Sequence, residues 1–549
     1  MKLRRSLAPL LIALAVLIAL LVAVAWLPLV DARKEWSAGK NAEAVATAER
    51  WSRLHLWPSQ YHQVLAAAFL TAGNAAAAHP HLAAIGNVWI SAVDKTEVAR
   101  HLFARNSYAD FLVYDAASRE RHDAPEAVLY RAAAQAATNQ ISTAEATFRA
   151  IDASRVKRQN YDALRTAIEQ RKSGSIPFVF DRSNQVIGVY RPQTNAVIAT
   201  DPDFAPLIDR DGGDLTIGAR IDQIGPNATV ETTLDPFVQK AALAALGDYR
   251  GSLVAIDPQT NEILAIANSG TKANRALESE YEPGSVIKVL TGLNALTNGV
   301  NIEAMFPYIC KGELMIDGRH FGDWVPQGHG RLDNFDDALA VSCNVFFADL
   351  GLRLGREKLE RFMNAAGFDG QANLGLFQVP LGKTIGPVFN NFETAFLAIG
   401  LEHEKIDTIH LAMIASMMAN RGVLTTPRLL RERRSILGEV VAAAPRQGQT
   451  RIATAAAAER IINAMQAVAT QPRGTGRRAP VEGLSLAMKT GTAGIRANGL
   501  EALILAFSPV DKPKIAFGVI AESAGPAEYA GAKIAHDFLQ KMKPRLGVQ

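Results

Sequence analysis

Three short strings stand in a fixed order in this chain: SVIK at residues 285–288, SCN at 342–344 and KTGT at 489–492. They supply serine hydroxyls, lysine amines and an amide, which can act together only if the fold brings distant positions into one cleft. The first string alone carries little weight, because Ser-x-x-Lys also occurs at 154–157 and 269–272, about as often as average composition allows. The order and local setting of the strings therefore carry the interpretation.

Ser285 stands at the predicted start of a helix. It follows the turn-forming string YEPG and begins an apolar run of helical spacing that ends in Asn-Gly. Free backbone N–H groups at a helix start can stabilise an oxyanion, and Lys288 lies one turn later on the same face. We predict that Ser285 is a nucleophile and Lys288 its base; the alternative is a helix-capping serine followed by a surface lysine.

A lysine base must be neutral, which requires a lowered pKa. Bringing the amine from a pKa near 10.4 to about 7.5 costs roughly 4 kcal/mol, which burial and a second cation can supply. Lys489 is the predicted second cation. Ser342 is predicted to relay a proton, and Asn344 offers an amide that can hold a peptide backbone.

The KTGT string ends an alternating run at residues 484–488 that predicts a strand. Gly491 would let a substrate approach the backbone closely. The hydroxyls of Thr490 and Thr492 could bind a carboxylate. The alternative is an ordinary turn at an edge strand.

Taken together, these strings and their surroundings resemble the penicillin-binding proteins, the D,D-transpeptidases of peptidoglycan synthesis. The resemblance runs from about residue 230 to about 541 and includes a first helix and β-hairpin at 232–269. Two departures from the family pattern are Met488, where a small residue is usual, and LILAFSP at 503–509, which lacks an aromatic pair.

The resemblance implies a role for each residue of the three strings. Ser285 would be acylated with Lys288 as base, and covalent reaction with β-lactams would inhibit the protein. The backbone N–H groups of Ser285 and Thr492 would form the oxyanion hole. Ser342 and Asn344 would complete the proton shuttle and grip the substrate, Lys489, Thr490 and Thr492 would hold its terminal carboxylate, and Gly491 would allow its close approach.

Residues 230–549 are predicted to form an α+β domain, an antiparallel sheet sandwiched by helices. Asp235 followed by proline marks a helix start. Strand patterns at 253–266 lie near the beginning of the domain, and those at 503–507 and 515–521 lie near its end, before a closing helix at 527–542. The first and last pieces should therefore share one sheet.

The N-terminus predicts a membrane anchor at residues 1–30. Lys2, Arg4 and Arg5 precede an uncharged run over 7–30, and a helix of that length, about 36 Å, can cross a hydrocarbon core of about 30 Å. The basic start should remain cytoplasmic, which places the rest in the periplasm, outside the inner membrane. The alternative is a signal peptide cleaved after AVA at 23–25.

Residues 31–172 predict helices with an internal repeat. Gly39, Gly73, Asn106 and Asn139 are turn-type residues spaced 34, 33 and 33 apart, which is the period of tetratricopeptide (TPR) repeats. The expectation is a TPR-like solenoid that binds cell-wall synthesis proteins; the alternative is an irregular helical bundle.

Residues 173–229 are rich in Asp, Gly and Pro and predict a small β-containing linker or pedestal. The segment 31–172 is too short for a glycosyltransferase domain and lacks an early acidic motif. The chain is therefore expected to cross-link peptidoglycan strands and not to polymerise them.

Composition excludes few functions for this chain. A net charge of +4 over 549 residues does not favour a nucleic-acid partner. Cys310 and Cys343 could pair or remain free thiols. His101, His320 and His329 are isolated, so no metal and no cofactor are expected.

The leading function is a membrane-anchored D,D-transpeptidase acting on stem peptides. A carboxypeptidase or β-lactamase, with water as acceptor, is the first alternative, but the sequence offers no clear base for deacylation. A β-lactam sensor or scaffold is the second.

Overall fold

The computed structural model describes residues 7–53, 57–88, 90–120, 123–494 and 499–547. It falls into two compact units: Met1–Ile176 with Gly225–Thr229 and Arg433–Ala442, and Pro177–Ile224 with Val230–Glu432 and Ala443–Gln549. The predicted pedestal, 173–229, is thus divided between the units. Lys2, Arg4 and Arg5, on which the predicted orientation depends, lie outside the described residues.

The first unit begins with helix α1 (Leu7–Ser37), long and apolar enough to cross a membrane. The helix does not end with the uncharged run at residue 30. From Leu29 onward one face is buried in the helical core, and Trp36 donates a hydrogen bond from Nε1 to Thr71 Oγ1 at 3.1 Å. The same helix therefore supplies both the apolar segment and the first buried face of the unit.

Paired helices make up most of the rest of this unit. Their bounds, with one short parallel strand pair, are α2 (Asn41–Ser52), α3 (Pro58–Thr71), α4 (Ala75–Ile85), β1 (Asn87–Val88), α5 (Lys95–Ala104), α6 (Tyr108–Ala117), β2 (Arg119–Glu120), α7 (Pro125–Ala137), α8 (Ile141–Arg149) and α9 (Arg158–Ser173). Gly39, Gly73, Asn106 and Asn139 each lie between the two helices of a pair, with φ of 78°, 82°, 59° and 63°. Only glycine, and less readily asparagine, adopts this left-handed backbone at low cost, which explains why these residue types recur at the turns. The TPR-like assignment stays a prediction.

The remaining elements of the described chain follow in order: β3 (Ile176–Phe180), β4 (Val186–Arg191), β5 (Ala196–Ala199), α10 (Ala205–Ile208), α11 (Ile221–Ile224), β6 (Thr229–Thr232), α12 (Pro236–Leu246), β7 (Gly251–Asp257), β8 (Glu262–Ser269), α13 (Arg275–Glu278), α14 (Lys288–Thr297), β9 (Tyr308–Cys310), β10 (Glu313–Ile316), β11 (Arg319–Gly322), β12 (Gly330–Leu332), α15 (Phe335–Ala340), α16 (Asn344–Leu354), α17 (Arg356–Ala365), β13 (Gln371–Asn373), β14 (Gln378–Pro380), β15 (Lys383–Thr384), α18 (Asn391–Leu397), β16 (Glu404–Lys405), α19 (Thr408–Ala419), β17 (Val423–Thr425), β18 (Leu430–Arg434), β19 (Val440–Ala443), β20 (Gln449–Arg451), α20 (Ala455–Thr470), β21 (Ala487–Ala493), β22 (Glu501–Ser508), β23 (Ile515–Ala521) and α21 (Ala530–Leu546).

A five-stranded antiparallel sheet organises the second unit, in the order β21-β22-β23-β7-β8. Strands from the beginning of the domain, β7 and β8, and from its end, β21 to β23, share this sheet, as predicted. The two groups meet where β23 pairs with β7. Helices α12 and α21 pack against the sheet and against each other. Helix α19 packs closely on β23 because Gly518 leaves room for Leu411. The predicted α+β fold is confirmed.

A second sheet of six strands has the order β19-β18-β6-β3-β4-β5. Within it β3 and β6 run parallel, whereas β4 and β5 form an antiparallel hairpin. The sequence predicted β-structure at residues 186–190, and strand β4 occupies that segment. Short strand pairs such as β10–β11 lie between the helices that follow the nucleophile.

Candidate active site

Ser285 lies on a tight 3-10 turn, Gly284–Ile287, that leads directly into α14. The predicted helix start is confirmed. Gly284 has φ +55°, its N–H donates to the Gly400 carbonyl at 2.7 Å, and a Cβ at this position would lie 2.7 Å from the carbonyl oxygen of Thr492. Only glycine fits there, and the close approach holds Ser285 against strand β21.

Gly491, on strand β21, must also be a glycine for the nucleophile turn and the strand to make this contact. A Cβ on Gly491 would lie 2.7 Å from the Pro283 carbonyl oxygen and 2.9 Å from Val286 Cγ1. The sequence explained this glycine by the approach of a substrate. The structure gives a different reason, because the nucleophile turn itself occupies the space that a side chain would need.

Lys288 is fully buried and points into the site. Its Nζ donates to the Ser342 carbonyl at 2.7 Å, to Ser342 Oγ at 3.3 Å and to Asn344 Oδ1 at 2.5 Å. Burial lowers the pKa of Lys288 to about 8, against the opposing effect of the Asp323 carboxylate. A larger fraction of this amine is thus neutral near neutral pH than of an exposed lysine.

Ser342 joins the two lysines. Lys489 Nζ donates to Ser342 Oγ at 2.9 Å and to the Thr490 carbonyl at 2.8 Å. Burial lowers the pKa of Lys489 well below its usual range, and the neighbouring charge of Lys288 lowers it further. The sequence predicted that burial and the charge of Lys489 would both lower the pKa of Lys288. Burial does lower the pKa of Lys288, but the charge effect acts on Lys489 instead.

The turn between α15 and α16 holds Ser342 in an unusual backbone conformation. Ser342 has φ +56°, a left-handed geometry that costs a non-glycine residue about 1–3 kcal/mol and is common at active sites. Its hydroxyl thereby reaches both amines, while Asn344 follows at the first position of α16.

These groups surround a cleft of about 380 Å³. Five of the predicted residues line it: Ser285, Ser342, Asn344, Thr490 and Thr492. Lys288 and Lys489 lie buried behind this wall. Strand β21 is an edge strand, so alternate backbone N–H groups face away from its partner and are available to a ligand.

Several cleft residues were not predicted from the sequence. The side chain of Trp324, 49% exposed, Thr475 and Glu528 also line the cleft. The hydroxyls of Thr475 and Thr490 lie 2.6 Å apart. Thr475 belongs to the string GTG at 474–476, and the sulfur of Met488 fills the space where a Cβ on Gly476 would stand. These residues lie in loops without periodicity, where sequence patterns carry little signal.

Asp323 was also not predicted from the sequence. It accepts from the Val345 N–H at 3.2 Å and from Cys343 Sγ at 3.3 Å, and lies 3.1 Å from His329 Nε2. The His329 and Lys288 charges help to lower the pKa of Asp323 to about 2, although burial opposes them. Asp323 thus places a buried negative charge near the lysine pair.

Cys310, Asp323 and Cys343 could hold a metal ion. Their ligand atoms lie within 4.8 Å of one another, and both cysteines are free and buried. A hydrogen bond with Cys343 lowers the pKa of Cys310 to about 6, whereas burial raises the pKa of Cys343, so the thiolate form is favoured at Cys310 and disfavoured at Cys343. Two sulfurs and a carboxylate are a donor set that suits zinc; the sequence showed no such cluster because the three residues belong to separate segments.

Comparisons with known proteins agree with this fold. Over 337 residues the chain is 28% identical to the peptidoglycan D,D-transpeptidase PbpA of Mycolicibacterium smegmatis, covering 54% of this chain and 67% of that protein. It is also 28% identical to the D,D-transpeptidase MrdA of Acinetobacter baumannii, covering 53% and 50%. The matches thus span about half to two thirds of these relatives.

Solved structures share the fold. Penicillin-binding protein A from M. tuberculosis, solved as a ceftriaxone acyl-enzyme complex, superposes with a TM-score of 0.60 at 20% identity, covering 67% of this chain and 98% of that one. The D,D-transpeptidase domain of a peptidoglycan glycosyltransferase from Eggerthella lenta gives 0.60 at 22% identity, covering 68% and 99%.

A family model described as the penicillin binding protein transpeptidase domain matches residues 251–542, more than half of the chain. That range contains every residue of the three strings. The chain therefore belongs to the penicillin-binding protein transpeptidase family.

Proposed function

We propose that this protein is a serine D,D-transpeptidase that cross-links peptidoglycan stem peptides through an acyl-enzyme on Ser285. The observation that carries the proposal is the hydrogen-bonded chain Lys288–Ser342–Lys489, whose central hydroxyl lines the same cleft as Ser285 while the two amines lie buried behind it. A hydroxyl contacted by two buried amines can pass a proton between them, which acyl transfer needs in both of its halves.

In the first half, Ser285 Oγ attacks the carbonyl carbon of the penultimate D-Ala, and its proton passes to the Lys288 amine. The backbone N–H groups of Ser285 and Thr492 stabilise the oxyanion. The bond to the terminal D-Ala then breaks, and its nitrogen takes up a proton delivered through Ser342.

In the second half, an amine of a neighbouring stem peptide attacks the ester carbonyl. The amine loses a proton to the same relay, and Ser285 Oγ leaves with a proton from Lys288. The cleft hydroxyls of Thr490 and Thr492, which hold the donor's terminal carboxylate in the first half, are vacated when the terminal D-Ala leaves. Lys489 acts from behind this wall through its hydrogen bond to Ser342 Oγ, because its amine is fully buried.

We propose further that α1 anchors the chain in the inner membrane, with the catalytic residues on the periplasmic side, and that the helical unit binds cell-wall synthesis proteins. The length and apolar surface of α1 support the anchor. The four helix pairs with matching turns support a repeat domain, which is the usual basis of protein binding by solenoids.

Hydrolysis is the second candidate, because Glu528 lines the cleft. A carboxylate at such a position could activate water and remove the acyl group, as a carboxypeptidase or β-lactamase requires. The transpeptidase assignment expects Glu528 to have no such role.

Fluorescent penicillin tests both candidates. We expect wild type to form a covalent adduct that persists for minutes to hours, and Ser285→Ala to form none while remaining folded, since Ser285 lies within the 3-10 turn Gly284–Ile287 and its hydroxyl does not cap a helix. Labelling of Ser285→Ala at the wild-type rate would refute the assigned nucleophile. Rapid penicillin turnover that Glu528→Gln slows would establish the hydrolase instead.

A further inference from the structure

A second pocket lies in the same unit as the catalytic cleft and is lined in part by the same two chain segments. Its volume is about 430 Å³, and its lining includes Tyr249, Arg478, Tyr529, Lys533 and His536. Two segments contribute to both spaces: Thr475 faces the cleft and Arg478 the pocket, while Glu528 faces the cleft and Tyr529 the pocket. A ligand extending from the cleft past these segments would enter the pocket.

The lining of this pocket favours an anion. Three of its side chains carry or can carry positive charge, and none of its lining side chains is a carboxylate. Lys533 is already paired with Asp537, one turn along α21, and His536 Nδ1 lies 3.0 Å from the Pro480 carbonyl. Arg478 is the remaining cation, and in the described part of the chain it forms no salt bridge.

Arg478 is held in a position suited to binding. Its guanidinium lies 4.2 Å from the ring centroid of Tyr529, and Nη1 donates weakly to the Glu528 carbonyl at 3.5 Å. Stacking on an aromatic ring reduces the freedom of the arginine side chain while leaving its edge donors for a carboxylate. Tyr529 is 52% exposed, so the stacked pair is open to solvent.

We propose that this pocket binds a carboxylate of the acceptor stem peptide, with Arg478 as its principal contact. The inference rests on the proposed transpeptidase function. The acylated donor still occupies the cleft at Ser285 after its terminal D-Ala has left, so a second stem peptide that brings its amine to the ester must extend beyond the cleft and place its own anionic end there. The pocket offers that place.

Direct binding tests the proposal without catalysis. The full chain in detergent micelles is titrated with a stem peptide truncated before D-Ala-D-Ala, which cannot serve as donor, and with the same peptide amidated at its carboxylates. We expect wild type to bind the carboxylate form about tenfold more tightly, as one charge-assisted contact allows. Arg478→Gln should lose this preference, and Arg361→Gln, an exposed arginine on α17, should keep it.

Three results would overturn the proposal. Arg478→Gln could retain the preference, or it could weaken both forms equally, which would indicate a structural role. It could also lose affinity only for a peptide that ends in D-Ala-D-Ala, which would assign the pocket to the donor. If the transpeptidase assignment is wrong, wild type will not be labelled by penicillin. The peptide titration does not depend on labelling and can still be interpreted.

Discussion

Lys288 determines how the chemistry should respond to pH. Because burial places its pKa at about 8, about one amine in ten is neutral at pH 7. A general base acts in its neutral form, so the rate constant for acylation by penicillin should rise about tenfold from pH 7 and level off above the pKa. Labelling with fluorescent penicillin, quenched at fixed times across this pH range, measures the rate constant. A rate constant that does not change with pH would contradict the role of Lys288 as base.

Lys288→Arg supplies the matched variant for that measurement. Arginine keeps the positive charge and cannot lose its proton, so acylation should fall to near background at every pH. Acylation at wild-type rates by Lys288→Arg would mean that the position provides only charge. Lys288 and Lys489 are both fully buried, so the larger guanidinium could disturb packing at either position, and the melting temperature of Lys288→Arg is measured beside its labelling to separate loss of the base from disturbed packing.

Single residues also show what the sequence could locate. Ser285, Lys288 and Lys489 could be proposed as site residues because their strings combine a helix start, a fixed spacing and a strand. Asp323 could not, because its partners Cys343 and His329 come from other segments, and an isolated aspartate in a loop carries no pattern. The left-handed backbone of Ser342 is equally invisible, since it is imposed by the turn between two helices and not by residue type.

At the scale of elements, the site depends on contact between the nucleophile turn and strand β21. Gly491→Ala would place a Cβ 2.7 Å from the Pro283 carbonyl oxygen, so the turn must move away from the strand. We expect acylation to fall at least about a hundredfold, because small displacements of reacting groups are costly. Gly322→Ala on β11, where a Cβ would meet nothing within 4 Å, is the matched control.

The measurement is the acylation rate together with the melting temperature of both variants. A Gly491→Ala protein that acylates like Gly322→Ala would show that the turn and strand need not be in contact. The elements themselves were largely predictable, because strands β7, β8, β22 and β23 have clear alternation or apolar runs. Their order in the sheet was not predicted, since periodicity alone does not fix pairing.

At the scale of the whole molecule, the sequence suggested that residues 31–172 form a domain separable from the catalytic region. The chain, however, returns to the helical unit at Arg433–Ala442. Ile436 and Leu437 are buried in its core, and Glu439 accepts hydrogen bonds from Tyr130 at 2.8 Å and from Asn160 at 3.0 Å. A contact between segments so far apart in sequence leaves no local pattern.

Deleting residues 31–172 should therefore do more than remove a binding domain. It would uncover Ile436 and Leu437, at a cost of about 1.5–3 kcal/mol for each buried side chain. We expect the deleted protein to aggregate and to yield little penicillin-labelled monomer. The same deletion carrying Ile436→Ser and Leu437→Ser should recover monomer and labelling, as size-exclusion chromatography of the fluorescent adduct would show. A monodisperse, fully labelled deletion without those substitutions would mean that the returning segment does not need the helices.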